Sequence, residues 1–189
     1  MKKICLVILK LLNIKIDVVN IPKEKKYVLV FAPHTSWTDF AVGKIALTAM
    51  GVKTTFLIKK EFFIFPFGIY LKYIGGYPVD RNKTQRLTNR LAQYMKEQEQ
   101  IALIITPEGT RRYVEKWKRG FYHIAQNANV PIALAYLDYN ERKGGIGPVF
   151  TPTGNYEADL QEIQKFYYGM RGIRKGCFCL ETKEKTSIR

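Results

Sequence analysis

Short apolar runs of strand length recur along this chain, and most are followed by a segment with helical spacing. Tyr27-Val-Leu-Val-Phe-Ala32 has no charged position and reads as a strand buried on both faces. Ile101–Ile105 and Val130–Leu137 repeat the pattern, and Thr54–Ile58 and Tyr77–Val79 are shorter versions of it. A helix is expected from the hydroxyl-rich stretch Thr35–Thr38, which can cap it, to about Met50. Leu87, Leu91 and Met95 share one face of a second helix over Thr84–Gln98. Trp117, Phe121, Ile124, Ala125 and Ala128 predict a third over residues 116–129, and Asn155–Tyr168 a last one. Strands alternating with helices predict an α/β fold: a single domain with a mostly parallel central sheet, flanked by helices on both faces. In such sheets ligands sit beyond the carboxyl ends of the strands. Gly144-Gly-Ile-Gly-Pro148 reads as a turn cluster, since it lacks the dinucleotide-binding glycine spacing.

At 189 residues the chain has the length of one ordinary domain. Three cysteines exclude a disulfide framework and fit a reducing compartment. Two histidines, His34 and His123, leave no ligand set for zinc, so no metal and no cofactor are expected. No apolar run is long enough to span a bilayer. The charge is the informative number: 31 Lys and Arg against 16 Asp and Glu give +15. That balance calls for an anionic partner, which could be nucleic acid, membrane phospholipid or a phosphorylated substrate. Residues 1–26 hold seven basic and two acidic side chains, and residues 164–189 the same numbers, so most of the excess sits at the two ends.

Polar clusters fall where the strands end. The first is Pro33-His-Thr-Ser-Trp-Thr-Asp39. Residues five apart point in different directions around one helix, so His34 must lie in the loop and Asp39 in the first helical turn. The carboxylate can then reach one imidazole nitrogen and leave the other free as a general base. No G-x-S-x-G nucleophile motif is present, so the base would act on a hydroxyl of a bound substrate. Alone the pair is weak, because a histidine at a strand end is commonly just a satisfied polar group. The second cluster is Pro107-Glu-Gly-Thr-Arg-Arg112. Gly109 lets backbone N–H groups approach an anion, and Arg111 and Arg112 can clamp phosphate. Glu108 could accept a substrate hydroxyl or hold an arginine. The plain alternative is a surface turn of solvated charges. A third cluster, Gly75-Gly-Tyr-Pro-Val-Asp-Arg81, adds Arg81, which could instead pair with Asp80 or Glu108.

The three clusters together, in this order, resemble the boxes of the glycerolipid acyltransferases, the family of lysophosphatidate and glycerol-3-phosphate acyltransferases. His34–Asp39 matches its His-x4-Asp box, Gly76–Arg81 its Val-Asp-Arg-like box, Pro107–Arg111 its Pro-Glu-Gly-Thr-Arg box, and Val130–Ile132 its Val-Pro-Ile strand. Lys116–Gly120 is similar to the segment after the third box, and the resemblance spans roughly residues 27–150. It implies that His34, assisted by Asp39, deprotonates an acceptor hydroxyl, which attacks an acyl thioester carried by coenzyme A or acyl carrier protein. It implies that Arg81, Glu108, Gly109, Thr110 and Arg111 bind the acceptor's glycerol phosphate. The implied role is phospholipid synthesis, with 1-acyl-glycerol-3-phosphate as acceptor or, alternatively, a lyso-aminolipid. Two features depart from the family. Pro33 stands where many members have Asn, and only 33 residues precede His34 where many members carry a longer membrane-inserted region.

Residues 1–22 read as a basic, apolar helix, 23–169 as the catalytic domain and 170–189 as a basic tail. The first helix would lie in a membrane interface with snorkelling lysines, or pack on the domain's own core. Phe62, Phe63, Phe65 and Phe67 would face the bilayer or the acyl chain, the alternative being core packing. The expected setting is the cytoplasmic face of an anionic membrane, without nucleic acid. A basic nucleic-acid-binding module is the rival class, but it leaves the three ordered boxes unexplained and shows no recognition helix.

Overall fold

The computed structural model of the chain describes residues 2–17, 20–80 and 84–182. Its elements in order are α1 (Lys2–Leu11), β1 (Lys15–Asp17), β2 (Lys26–Ala32), α2 (Trp37–Met50), β3 (Thr54–Lys59), α3 (Phe67–Tyr73) and β4 (Gly76–Val79). Then follow α4 (Thr84–Glu97), β5 (Ile101–Ile105), α5 (Gly120–Ala128), β6 (Ile132–Asp138), β7 (Lys143–Phe150) and α6 (Tyr156–Tyr167). One seven-stranded sheet runs β1-β7-β6-β2-β5-β3-β4. The pairs β6-β2-β5-β3-β4 are parallel, while β7 runs antiparallel to β6 and carries β1 at its outer edge.

The apolar run of β2 is explained by its central place. Val28, Val30 and Ala32 face one layer, packing with Leu103, Phe121, Leu134 and Ile163 on the side of α4, α5 and α6. Tyr27, Leu29 and Phe31 face the other, with Leu9 of α1 and Val42, Ala46 and Leu47 of α2. Ile74, which caps α3, joins this second layer. Crossover helices thus cover both faces, as the alternation requires.

Four local expectations are corrected. Gly144–Pro148 is not a turn but the middle of β7. Its glycines serve close approach: a Cβ on Gly145 would lie 2.6 Å from the Asp17 carbonyl oxygen on β1. That same pairing makes residues 15–17 an edge strand inside the segment read as a helix of residues 1–22. The third helix begins only at Gly120, because the Lys118 N–H donates to the Pro107 carbonyl at 2.8 Å and Trp117 is buried from an irregular segment. Finally, residues 170–182 are not a free tail. Met170, Phe178 and Leu180 are buried in the α4–α6 layer, with the Phe178 ring 6.4 Å from that of Trp117.

α1 is divided. Leu9 is 2% exposed against the core, whereas Ile4, Leu6, Val7 and Leu11 are exposed. No helix among the described residues is long and apolar enough to cross a membrane.

The packing of the carboxyl-terminal segment has a direct test. Phe178→Ala should cost about 3–5 kcal/mol of stability in denaturant unfolding, as for other large core truncations. A solvated tail would show no change.

Candidate active site

The sheet order creates a crevice at one place. β2 and β5 are neighbours, yet the helix after β2 lies on one face and the helix after β5 on the other. At such a switch point the two loops diverge and leave room for a ligand at the carboxyl ends. The loop after β2 carries His34 and Asp39, and the loop after β5 carries Glu108–Arg111.

Ser36 caps α2, its side chain accepting from the Thr38 N–H. Asp39 completes a capping box from the third helical position. Its Oδ2 accepts from the Ser36 N–H at 2.7 Å, from the Thr35 hydroxyl at 3.0 Å and from the Thr35 N–H. Asp39 is fully buried, and its Oδ1 is buried without a hydrogen bond, as is His34 Nδ1. The expected direct bond between carboxylate and imidazole is therefore not formed. Helix capping commits one oxygen of Asp39 to the backbone, and its charge acts on His34 through space. Burial lowers the His34 pKa, Asp39 raises it and Arg111 lowers it, with burial the largest cause and a net shift downward. The imidazole is thus held neutral at physiological pH, the form a general base needs.

Glu108 crosses the crevice. The His34 N–H donates to both of its carboxyl oxygens, at 3.0 and 3.2 Å. It is almost completely buried, and that burial, helped by the charge of Asp39, pushes its pKa up to about 8 against the lowering effect of the His34 bond. The sequence reading gave Glu108 to a substrate hydroxyl or an arginine; here it joins the two loops. It also accommodates Pro33, since the loop is held by the backbone of His34 and not by a side chain at position 33.

Arg111 is half-buried, and its guanidinium stacks on the Trp37 ring 4.4 Å from the centroid. Trp37 is 71% exposed at the start of α2. One face of the guanidinium is used by the ring, and its N–H edge stays available to an anion. Gly109 has φ +66, a left-handed backbone that favours glycine, and Cε of Lys118 lies 2.8 Å from where a Cβ would stand. Lys118 therefore lies across the Gly109 backbone and adds a cation to this loop. The Thr110 hydroxyl accepts from the Arg112 N–H at 3.3 Å.

Arg81 lies outside the described residues. Its neighbour Asp80 pairs with Lys60 at 3.0 Å. The end of β4 is two strand spacings from β5, roughly 10 Å. Phe62, Phe65 and Phe67 are well exposed and Phe63 half-buried, in the segment between β3 and α3. They form no part of either core layer and follow the carboxyl end of β3, the strand next to β5.

Sequence reasoning missed the parts that come from afar. The Arg174 N–H donates to the Thr35 hydroxyl at 3.2 Å, and the Tyr139 N–H to the Arg171 carbonyl at 2.9 Å. Gly172 passes so near Thr35 that a Cβ there would lie 2.4 Å from it. No period or motif marks this stretch; its small, closely packed glycine was the one available signal. Trp37 was visible as an aromatic inside the His-x4-Asp box, but its stacking partner was not.

The fold and these boxes define a transferase class. The Acyltransferase family model matches residues 14–136, which include every box, and the chain belongs to that family. Its fold is that of the 1-acyl-sn-glycerophosphate (LPA) acyltransferase PlsC from Thermotoga maritima, whose crystal structure aligns with a TM-score of 0.63. The two are 19% identical, over 87% of this chain and 74% of that one. No curated protein sequence matches the chain.

Glu108 generates a prediction about stability. An acid whose folded pKa is raised is stabilising in its neutral form, and that contribution is lost as pH rises from the ordinary carboxylate range through about 8. Glu108→Gln keeps an acceptor for the His34 N–H and cannot ionise. Melting curves between pH 5 and 9, as an estimated window spanning this transition, should fall more steeply for the parent protein than for Glu108→Gln.

Proposed function

We propose that this acyltransferase moves a fatty acyl group from a thioester of coenzyme A or acyl carrier protein to a hydroxyl of a lysophospholipid, 1-acyl-glycerol-3-phosphate fitting best. The observation that carries this reading is a half-buried imidazole at the sheet's switch point, on which both the buried Asp39 carboxylate and the Arg111 guanidinium act.

The nitrogen of His34 opposite the sealed Nδ1 takes the proton of the acceptor hydroxyl. The oxygen attacks the thioester carbonyl carbon, and the tetrahedral adduct collapses with loss of thiolate. The thiolate takes the proton back from the imidazolium, so ester and free thiol leave together. Asp39 lowers the cost of the passing imidazolium. Arg111 and Lys118 supply positive charge for the acceptor's phosphate beside Gly109, with Arg81 as a further cation. Glu108 and Thr110 shape that loop.

The acceptor would be met at a membrane surface. Most of the exposed large apolar side chains belong to three segments: Ile4, Leu6, Val7 and Leu11 of α1, Trp37 of α2, and Phe65, Phe67, Ile69, Tyr70 and Tyr73 around α3. None lies on α4, α5 or α6 among the described residues. Lys2, Lys3, Lys10, Lys59, Lys60 and Lys72 belong to the same segments, which suits an anionic leaflet. Aromatic and apolar groups inserted among such lysines describe a peripheral, interfacial binder.

His34→Ala should abolish transfer while the protein stays folded, and His123 should be replaceable without kinetic effect. Asp39→Asn should lose orders of magnitude. Activity should fall on acidification only below the ordinary histidine range, because the base must be neutral and its pKa is lowered. Arg111→Ala should raise the acceptor KM about tenfold or more and spare the thioester, since a charge-assisted pair contributes about 1.5–3 kcal/mol. Equal effects on both substrates would favour an acceptor without phosphate. Flotation should show binding to anionic vesicles that high salt weakens without abolishing; retention on nucleic acid in place of vesicles would defeat the membrane reading.

A further inference from the structure

Among the described residues, three buried polar atoms around the His-x4-Asp loop lack partners: His34 Nδ1, Asp39 Oδ1 and the Tyr139 hydroxyl. Buried polar groups are seldom left unpaired, so three together need a common explanation. The fold brings them to one place. β6 pairs β2 in parallel up to Ala32 opposite Tyr136, and both chains run on past the sheet, β2 into Thr35 and β6 into Tyr139. Both extensions are then laced to one short stretch: Tyr139 N–H to the Arg171 carbonyl, Arg171 N–H to Asp138 Oδ1 at 3.1 Å, and Arg174 N–H to the Thr35 hydroxyl. The Tyr139 ring packs in the α1–α2 layer, on the side of Asp39.

We propose that Tyr139 is a positioning residue for the acyl transfer: its hydroxyl donates to Asp39 Oδ1, the oxygen that helix capping leaves free, and so sets how strongly that carboxylate acts on His34. The arrangement satisfies two of the three orphaned atoms with one bond. Burial raises the Tyr139 phenol far above the ordinary tyrosine range, and the Asp39 carboxylate beside it adds to the rise, while Arg142 opposes it. A phenol so held is a donor only and never competes as an anion. Around His34 the charged groups are Asp39 and Arg111, with Glu108 on its backbone N–H. Tyr139 is the neutral member that disperses the Asp39 charge. It lies beyond the end of the family match at residue 136.

The inference rests on reading His34 as the base, but its test needs no substrate. With two histidines in the chain, both can be followed by NMR. Tyr139→Phe removes the donor, concentrates the Asp39 charge and frees Oδ1 for Nδ1–H. The His34 midpoint should therefore rise by about half to one pH unit, the size of one neutral hydrogen bond. In an Asp39→Asn background the same substitution should move it by nothing. No shift with Asp39 present, or an equal shift in both backgrounds, overturns the proposal. A second reading comes from the unsubstituted hydroxyl: its buried, slowly exchanging proton should lie downfield and move upfield in Asp39→Asn. A Tyr139 hydroxyl signal indifferent to Asp39 overturns the assignment as well. Should transfer itself fail while these shifts appear, the proposed reaction would fall and the Tyr139–Asp39 bond would stand.

Discussion

A strand covered on both faces offers chemistry only at its end, and β2 is that strand. Its side chains are divided between two apolar layers, so everything polar in its neighbourhood is pushed to the loop beyond Ala32. That loop is held across the switch point by the His34 N–H donating to the buried Glu108 carboxyl, beside the capping bonds of Asp39 and the Arg174 bond to Thr35. The Glu108 contact ties the Pro-Glu-Gly-Thr-Arg box to the His-x4-Asp box, so residues 74 apart in sequence come together. A buried carboxyl is an expensive way to hold a loop, and its raised pKa shows the cost: it prefers to be neutral. The neutral form has an advantage here. It does not add a second negative charge next to Asp39, so the pull on His34 comes from a single carboxylate.

Asp39 combines two jobs that usually fall to separate residues. One oxygen ends the loop and begins α2 by capping backbone N–H groups, while the charge of the carboxylate also acts on the His34 imidazole. This division explains why the carboxylate must be in the first helical turn and why the imidazole must be outside it. It also fixes the direction of the site. Trp37, between the two, points outward and presents a flat surface to Arg111.

The apolar runs at Tyr27–Ala32, Ile101–Ile105 and Val130–Leu137 made the parallel core legible, because burial on both faces leaves a sequence mark that needs no partner to be seen. The boxes were legible too, since each is a short contiguous stretch of sequence. What could not be read was anything whose cause lies elsewhere. Gly144–Pro148 has the composition of a turn, and only the close approach of β1 makes it a strand. Residues 170–182 have no period because they follow the contours of a surface already formed by others. Glu108 was left between a substrate hydroxyl and an arginine, because sequence does not reveal that the His34 N–H of the neighbouring loop is nearer.

The bond between Arg174 and Thr35 spans 139 residues. Ribosomes add about 5–20 residues each second, so the catalytic loop would leave synthesis roughly ten seconds or so before the segment that pins it. During that interval the central strands can pair, because their contacts are closer in sequence, while Thr35 waits. Loop closure of this length also adds only slowly growing entropy, so the delay is one of timing more than of energy. A nascent chain would therefore acquire its sheet before this loop is fixed. The His34 imidazole comes into register only once the domain around it is finished.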